Sequence, residues 1–281
     1  MIDHLAKSAI TYVASNGETT HAPLMRARIR GWDALFVIDT GSEVHVLTEE
    51  LVDRLELPRE PGEEGTDHSG ATMASWSVSG VEIEIGEAVL ALERVFTIPA
   101  PQPFVRMGIA GALSPQHLHP TAVAILDMAA NELGLADATD DQVADLIEAD
   151  GGAVLRLRRS PRHPTTVIRA AIDGFAEVDA MLDSGGKRTE FSAAAVHGLA
   201  EADPERLGGG VFGSDVMGWE AGPQTLVIGN HRLPVPSLAV RNNLDDPQAI
   251  IGMDVLAGTV IAAAADTSRP VFLRLRANQE R

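Results

Sequence analysis

The sequence predicts an all-β chain made of two similar halves that face one another across a cleft. Three observations predict it. Short apolar or alternating runs, separated by Gly, Pro, Asn and Asp, recur along the 281 residues, and long helical patterns are scarce. The apolar run 34–38 ends in Asp39-Thr40-Gly41-Ser42, and the run 180–182 ends in Asp183-Ser184-Gly185-Gly186. Much of what surrounds the first turn returns around the second at a nearly constant separation. The acids lie 183 − 39 = 144 residues apart, and at that separation Leu47 meets Phe191, Val52 meets Val196 and Leu55 meets Leu199. Further on the separation is 143, where Gly70 meets Gly213, Trp76 meets Trp219 and Gly86 meets Gly229. Two copies are too few for a solenoid and suit a pseudo-symmetric pair.

Taken in order, runs 9–14 and 22–30 flank Asn16-Gly17, a hairpin signal. Gly31-Trp32-Asp33 turns the chain into the first Asp-bearing strand. Thr48 stands where it would cap a short helix over 49–55, with acids in its first turn. Residues 70–86 read as a hairpin, 89–98 as a strand, 99–103 as a stiff proline-bounded connection, and 123–135 as a strand pair. The acidic stretch 137–150 carries Val143, Leu146 and Ile147 at helical spacing and reads as a linker helix. The expected domains are therefore 1–137, a linker at 138–150, and 151–281, in which Gly174-Phe175 stands where Gly31-Trp32 stood. Near the end of each copy, Ile109-Ala110-Gly111 is matched with Ile250-Ile251-Gly252.

Composition narrows the function. The net charge of −18 makes nucleic acid and anionic membrane poor partners, because both repel such a chain. Without cysteine there is no disulfide, thiolate metal site or cysteine nucleophile. The first residues lack the basic-then-apolar pattern of a signal peptide, and no run approaches the ~20 apolar residues of a membrane span. A cytoplasmic location is the expectation. Gly208-Gly209-Gly210 lacks the Lys-Ser/Thr ending of a phosphate loop and reads as a flexible flap. His117 and His119 read as a surface turn rather than a metal site, and no metal ligand set is assigned.

Two acid-hydroxyl-glycine turns in matched contexts, each followed by an apolar-apolar-glycine segment, resemble the aspartic protease superfamily. The likeness covers nearly the whole chain and is nearest to two retropepsin-type units fused in one chain. It implies a bilobal acid-protease fold of β-barrel-like lobes and an aspartic endopeptidase acting on an extended peptide. Asp39 and Asp183 would be the catalytic pair sharing one water, with no further cofactor. Thr40 and Ser184 would lock the two turns together. Gly41, Ser42, Gly185 and Gly186 would complete the turns, with the apolar-apolar-glycine segments passing behind them. Ser42 would donate its hydroxyl to Asp39, a donor that Gly186 cannot offer Asp183. Trp76 and Trp219 are the flap candidates, since the only tyrosine, Tyr12, lies far from any flap. Asp254 would be a buried structural acid. The partner is a peptide or protein substrate, and a monomer contains both half-sites. A catalytically inactive peptide-binding or scaffold module of the same fold is the alternative.

Overall fold

The structure is a computed structural model that describes residues 4–67, 69–148, 152–199, 203–210 and 213–275. It is all-β, with short helices at Glu49–Arg54, Gln102–Met107, Asp140–Glu148 and Met253–Leu256. His4–Val13 and Thr19–Ile29 form the first hairpin, and Gly17 at its turn has a φ of 85°, a region where a side chain would be strained. Thr19–Ile29 then pairs antiparallel with Trp32–Ile38, the strand that delivers Asp39.

From there both halves use the same pairings. Trp32–Ile38 runs parallel to Gly111–Leu113, which is antiparallel to His45–Thr48, which in turn is parallel to Val95–Ile98. In the second half Val178–Leu182 runs parallel to Ala249–Ile251, then antiparallel to Glu190–Ser192, then parallel to Ala239–Arg241. A short strand is thus threaded behind each Asp turn. Phe36 and Ile38 in one half, and Ala180 and Leu182 in the other, point into the main apolar core. The two-residue period of a strand sends the alternate positions, and with them the two acids, to the opposite face.

The halves also share a sheet. Val123–Asp127 pairs with Glu132–Ala136 on one side and with Val260–Ala264 on the other. Val271–Arg274 and Val154–Leu157 extend it. One face of this sheet offers Ala124, Leu126, Ile261 and Leu273 to the main core. The other offers Val123, Ile125, Val260, Ala262 and Phe272 to the Asp140–Glu148 helix, whose Val143 and Ile147 are buried against them. Each such side chain contributes about 1.5–3 kcal/mol on burial, so this helix is docked rather than a free tether. The end of the expected linker, at 149–150, lies outside the described residues.

The sheets are compatible with the expected barrel-like lobes without being closed: the nine-stranded sheet has edges at Glu205–Gly209 and His231–Val235. Other expectations are corrected. The Gln102–Met107 helix begins inside the connection expected at 99–103, because Pro103 sits at the start of a helix, where its missing N–H costs nothing. The stretch 89–98 is two strands, Ala88–Leu92 and Val95–Ile98. Thr48 precedes the Glu49–Arg54 helix but makes no side-chain cap, since it still belongs to His45–Thr48.

Candidate active site

The two acid turns meet. A Cβ placed on Gly41 would lie 2.8 Å from Asp183 Cγ, and one on Gly185 would lie 2.8 Å from Asp39 Cγ. Each carboxyl group therefore rests on the other turn's glycine, and only a residue without a side chain permits the approach. Asp39 and Asp183 are joined by a side-chain hydrogen bond. Two carboxyl groups can bond in this way only if a proton lies between them. Burial pushes the Asp39 carboxyl up from its ordinary value. The bond to Asp183 and the N–H groups of Gly41, Ser42 and Gly185 pull the other way without cancelling it. Asp183 Oδ1 accepts from the N–H groups of Gly185 and Gly186, each at 2.8 Å.

Beneath the acids a reciprocal lock ties the turns. Thr40 Oγ1 donates to the carbonyl of Leu182 at 2.7 Å and accepts from Ser184 N–H at 3.0 Å. Ser184 Oγ donates to the carbonyl of Ile38 at 2.7 Å and accepts from Thr40 N–H at 3.0 Å. Both hydroxyls are buried, and all four bonds cross between the halves. Asp39 N–H donates to Leu113 and Asp183 N–H to Ile251, both at 2.9 Å, so the threaded strands hold the two acids alike.

That symmetry corrects the register near the end of each half. Gly111–Leu113 faces Phe36–Ile38 as Ala249–Ile251 faces Ala180–Leu182, so the structural partner of Gly252 is Ser114, not Gly111. The separation here is 251 − 113 = 138, and it brings out a second set of matched residues. In the first half Ser114 N–H donates to His45 Nδ1 at 3.3 Å, and Gln116 Nε2 donates to the carbonyls of Thr40 and Ser42 at 3.3 and 3.0 Å. In the second half Gly252 N–H donates to Thr189 Oγ1, and Thr189 donates to Asp254 Oδ1 at 2.7 Å. His45, Ser114 and Gln116 support the first turn, and the sequence alone does not mark them because Gly111 supplies a false match. Aligning Leu113-Ser114-Pro115-Gln116 with Ile251-Gly252-Met253-Asp254 finds them.

Other assignments also change. Ser42 Oγ donates to the carbonyl of Val44 at 2.7 Å, not to Asp39, which takes the Ser42 backbone N–H instead. Gly186 is not a missing donor: a Cβ there would lie 2.6 Å from Asp183 Oδ2. His117 is not a free surface residue, because its Nε2–H donates to the Pro164 carbonyl across the halves at 3.3 Å. Trp76 sits at the base of a hairpin formed by Arg59–Pro61 and Trp76–Val78, with the Arg59 guanidinium 5.6 Å from its ring. Trp219 sits at the base of the Glu205–Gly209/Asp215–Glu220 hairpin, packed against the main core. Neither is at a tip. The tips themselves meet, since a Cβ on Gly210 would collide with Asp67 and Ser69, and Asn243 Nδ2 donates to the Ser69 carbonyl at 3.0 Å.

His163, Asp179 and Asp246 bring possible ligand atoms within 4.8 Å of one another. Asp179 already holds Arg162 on one oxygen and Arg169 on the other, so a cation there would have to displace two guanidinium groups. A cavity of about 490 Å³ at Arg156, Arg158 and Ser268 is lined by neither Asp39 nor Asp183.

Residues 25–111 match the family described as aspartyl protease. The matched segment contains the first Asp turn and the hairpin beyond it. No curated protein matches the chain. Among the described residues no helix is long and apolar enough to cross a membrane.

Proposed function

We propose that the chain is an aspartic endopeptidase in which Asp39 and Asp183 act as one catalytic pair. The observation that carries this reading is the mutual seating of the two carboxyl groups on each other's glycine, with a hydrogen bond between them. Peptide hydrolysis needs a base to take a proton from water and an acid to give one to the carbonyl oxygen or leaving amine. Two carboxyls in contact cannot both ionise cheaply, so one proton is shared and both roles exist at once. The raised affinity of Asp39 for protons keeps that shared state populated. A water bound between the two would attack the peptide carbonyl, its proton passing to the ionised carboxyl while the protonated one donates to the carbonyl oxygen.

In this reading the halves are two retropepsin-type units in one chain, duplicated and joined through residues 138–150. The hairpins whose tips meet at Gly210 and Ser69 roof an extended peptide, and Trp76 and Trp219 brace them from below. Opening of the tips admits substrate, and their closure excludes water.

The test is hydrolysis of an unfolded protein across pH 3–7 by the full chain, by Asp39→Asn and by Asp183→Asn. The expected result is activity in the wild type and a loss of about 10³-fold or more in each variant, the double losing little further. A wild type that binds peptides but cuts none would instead identify an inactive binding module.

A further inference from the structure

The strands that deliver the two acids present faces of unlike chemistry. In the first half Leu35 and Val37 alternate with core residues and share the face of Asp39. There they join Leu24 and Ile109, with Phe104, Met107 and Ala112 packed against them. In the second half Asp179 and Met181 share the face of Asp183 in the same way. Asp179 occupies the place of Leu35, at the separation of 144, and around it the apolar cluster is replaced by Arg162, Arg169, His163 and Asp246.

The segment covering this second face reaches one of the hairpin tips. In the first half the covering segment is the one that carries the Gln102–Met107 helix just before the threaded strand. In the second half it is 242–248, just before Ala249–Ile251, and its Asn243 reaches the hairpin tip at Ser69. Asp246 lies three residues further on, with a side chain 60% exposed. His163 Nε2 is buried beside it, 3.0 Å from Asp246 Oδ1, yet makes no directed hydrogen bond. The patch thus keeps a polar group unspent and an open carboxylate at its mouth. Apart from His163, its two arginines face three carboxylates, those of Asp179, Asp246 and Glu177.

We infer that the cleft is lopsided, with an apolar pocket beside Asp39 and, beside Asp183, a pocket for a basic side chain held by Asp246. The preferred substrate would carry an apolar residue on one side of the cut bond and Lys or Arg on the other. The bond to be cut comes from the catalytic reading above, but the binding preference does not depend on it. A lysine ammonium would reach Asp246 without disturbing Asp179, whose oxygens the two arginines already hold.

The experiment uses labelled peptides that differ only in Lys, Leu or Glu beside a fixed apolar residue. Affinity is read by fluorescence anisotropy with full-length Asp183→Asn, and cut sites are read by mass spectrometry of an unfolded protein digested by the wild type. The expected result is about tenfold tighter binding of the Lys peptide and cuts between apolar and basic residues. Asp246→Lys, at an exposed position, should invert the preference toward Glu in both readouts. Equal affinity for the three peptides, cuts flanked by apolar residues on both sides, or a preference that ignores Asp246→Lys would overturn the inference. Selective binding of the Lys peptide without any cleavage by the wild type would sustain it and sink the catalytic reading instead. If Asp183→Asn does not fold, the wild-type and Asp246→Lys digests decide alone.

Discussion

Among single residues, the fourth position of each turn shows how geometry overrules analogy. A hydroxyl at Ser42 looks like a donor to the neighbouring acid, but it is spent on Val44. Ser42→Ala should therefore leave the pH profile of kcat/KM in place and cost only about 1 kcal/mol of stability, read from a urea midpoint. Gly186→Ser should not tune the acids either. Its Cβ would press on Asp183 Oδ2, so hydrolysis should fall steeply while Ser42→Ala keeps most of it. Equal activity in the two variants would show that the turn yields more easily than this packing allows.

Among the strands and turns, the cross-half lock is a unit. Thr40→Val keeps the shape but strips an acceptor from Ser184 N–H and a donor from the Leu182 carbonyl, both buried. The expected cost is on the order of 2–4 kcal/mol, with Thr40→Ser costing far less and Thr40→Val plus Ser184→Ala less than additive. Chemical denaturation of the wild type, the single variants Thr40→Val, Thr40→Ser and Ser184→Ala, and the double variant reads all of this. The hairpin tips should respond separately: Asn243→Ala frees the Ser69 carbonyl, so amide exchange should quicken around 69–73 while the dyad strands stay protected. These parts of the fold also show what a sequence reveals. Both Asp turns are legible because an acid ending an apolar run, followed by a hydroxyl and a glycine, has few uses. The strands 34–38 and 180–182 are legible because they are buried and short. The Gln102–Met107 helix is hidden by prolines that read as a connection but in fact start it. Gln116 is hidden because its role depends on the pairing of Gly111–Leu113 with two distant strands, which no local spacing reports. The ionic patch at Asp179 is hidden because its members come from separate segments and meet only once the second half is folded.

Across the folded chain, His45 and Asp39 pull stability in opposite directions with pH. His45 is fully buried, donates from Nε2 to the His117 carbonyl and accepts on Nδ1 from Ser114, which fixes the neutral form. Burial lowers its pKa from 6.5 to about 4. The unfolded chain gains the proton first, so this contribution is present above pH 6.5, declines below it, and is gone once pH falls below about 4. The amount is roughly 3 kcal/mol for a shift of that size. Asp39 has the opposite sign: its raised pKa stabilises the fold relative to higher pH, and that advantage disappears as pH rises through its folded value. Melting temperatures of the wild type and His45→Gln between pH 4 and 7 should converge toward the acid end, the variant having the flatter profile. Parallel profiles would remove His45 from the account.

The shared sheet has a consequence for the order of events on the ribosome. Val123 pairs with Ala264 and Asp127 with Val260, so the first half presents a bare strand edge until Val260–Ala264 has emerged. Thr40 likewise waits for Ser184. The acids are thus held apart while the first half and much of the second are being made. Any hydrolytic competence then arrives in one step, once the strand that closes the shared sheet has cleared the exit tunnel. Until then the open strand edge makes an unfinished chain prone to self-association.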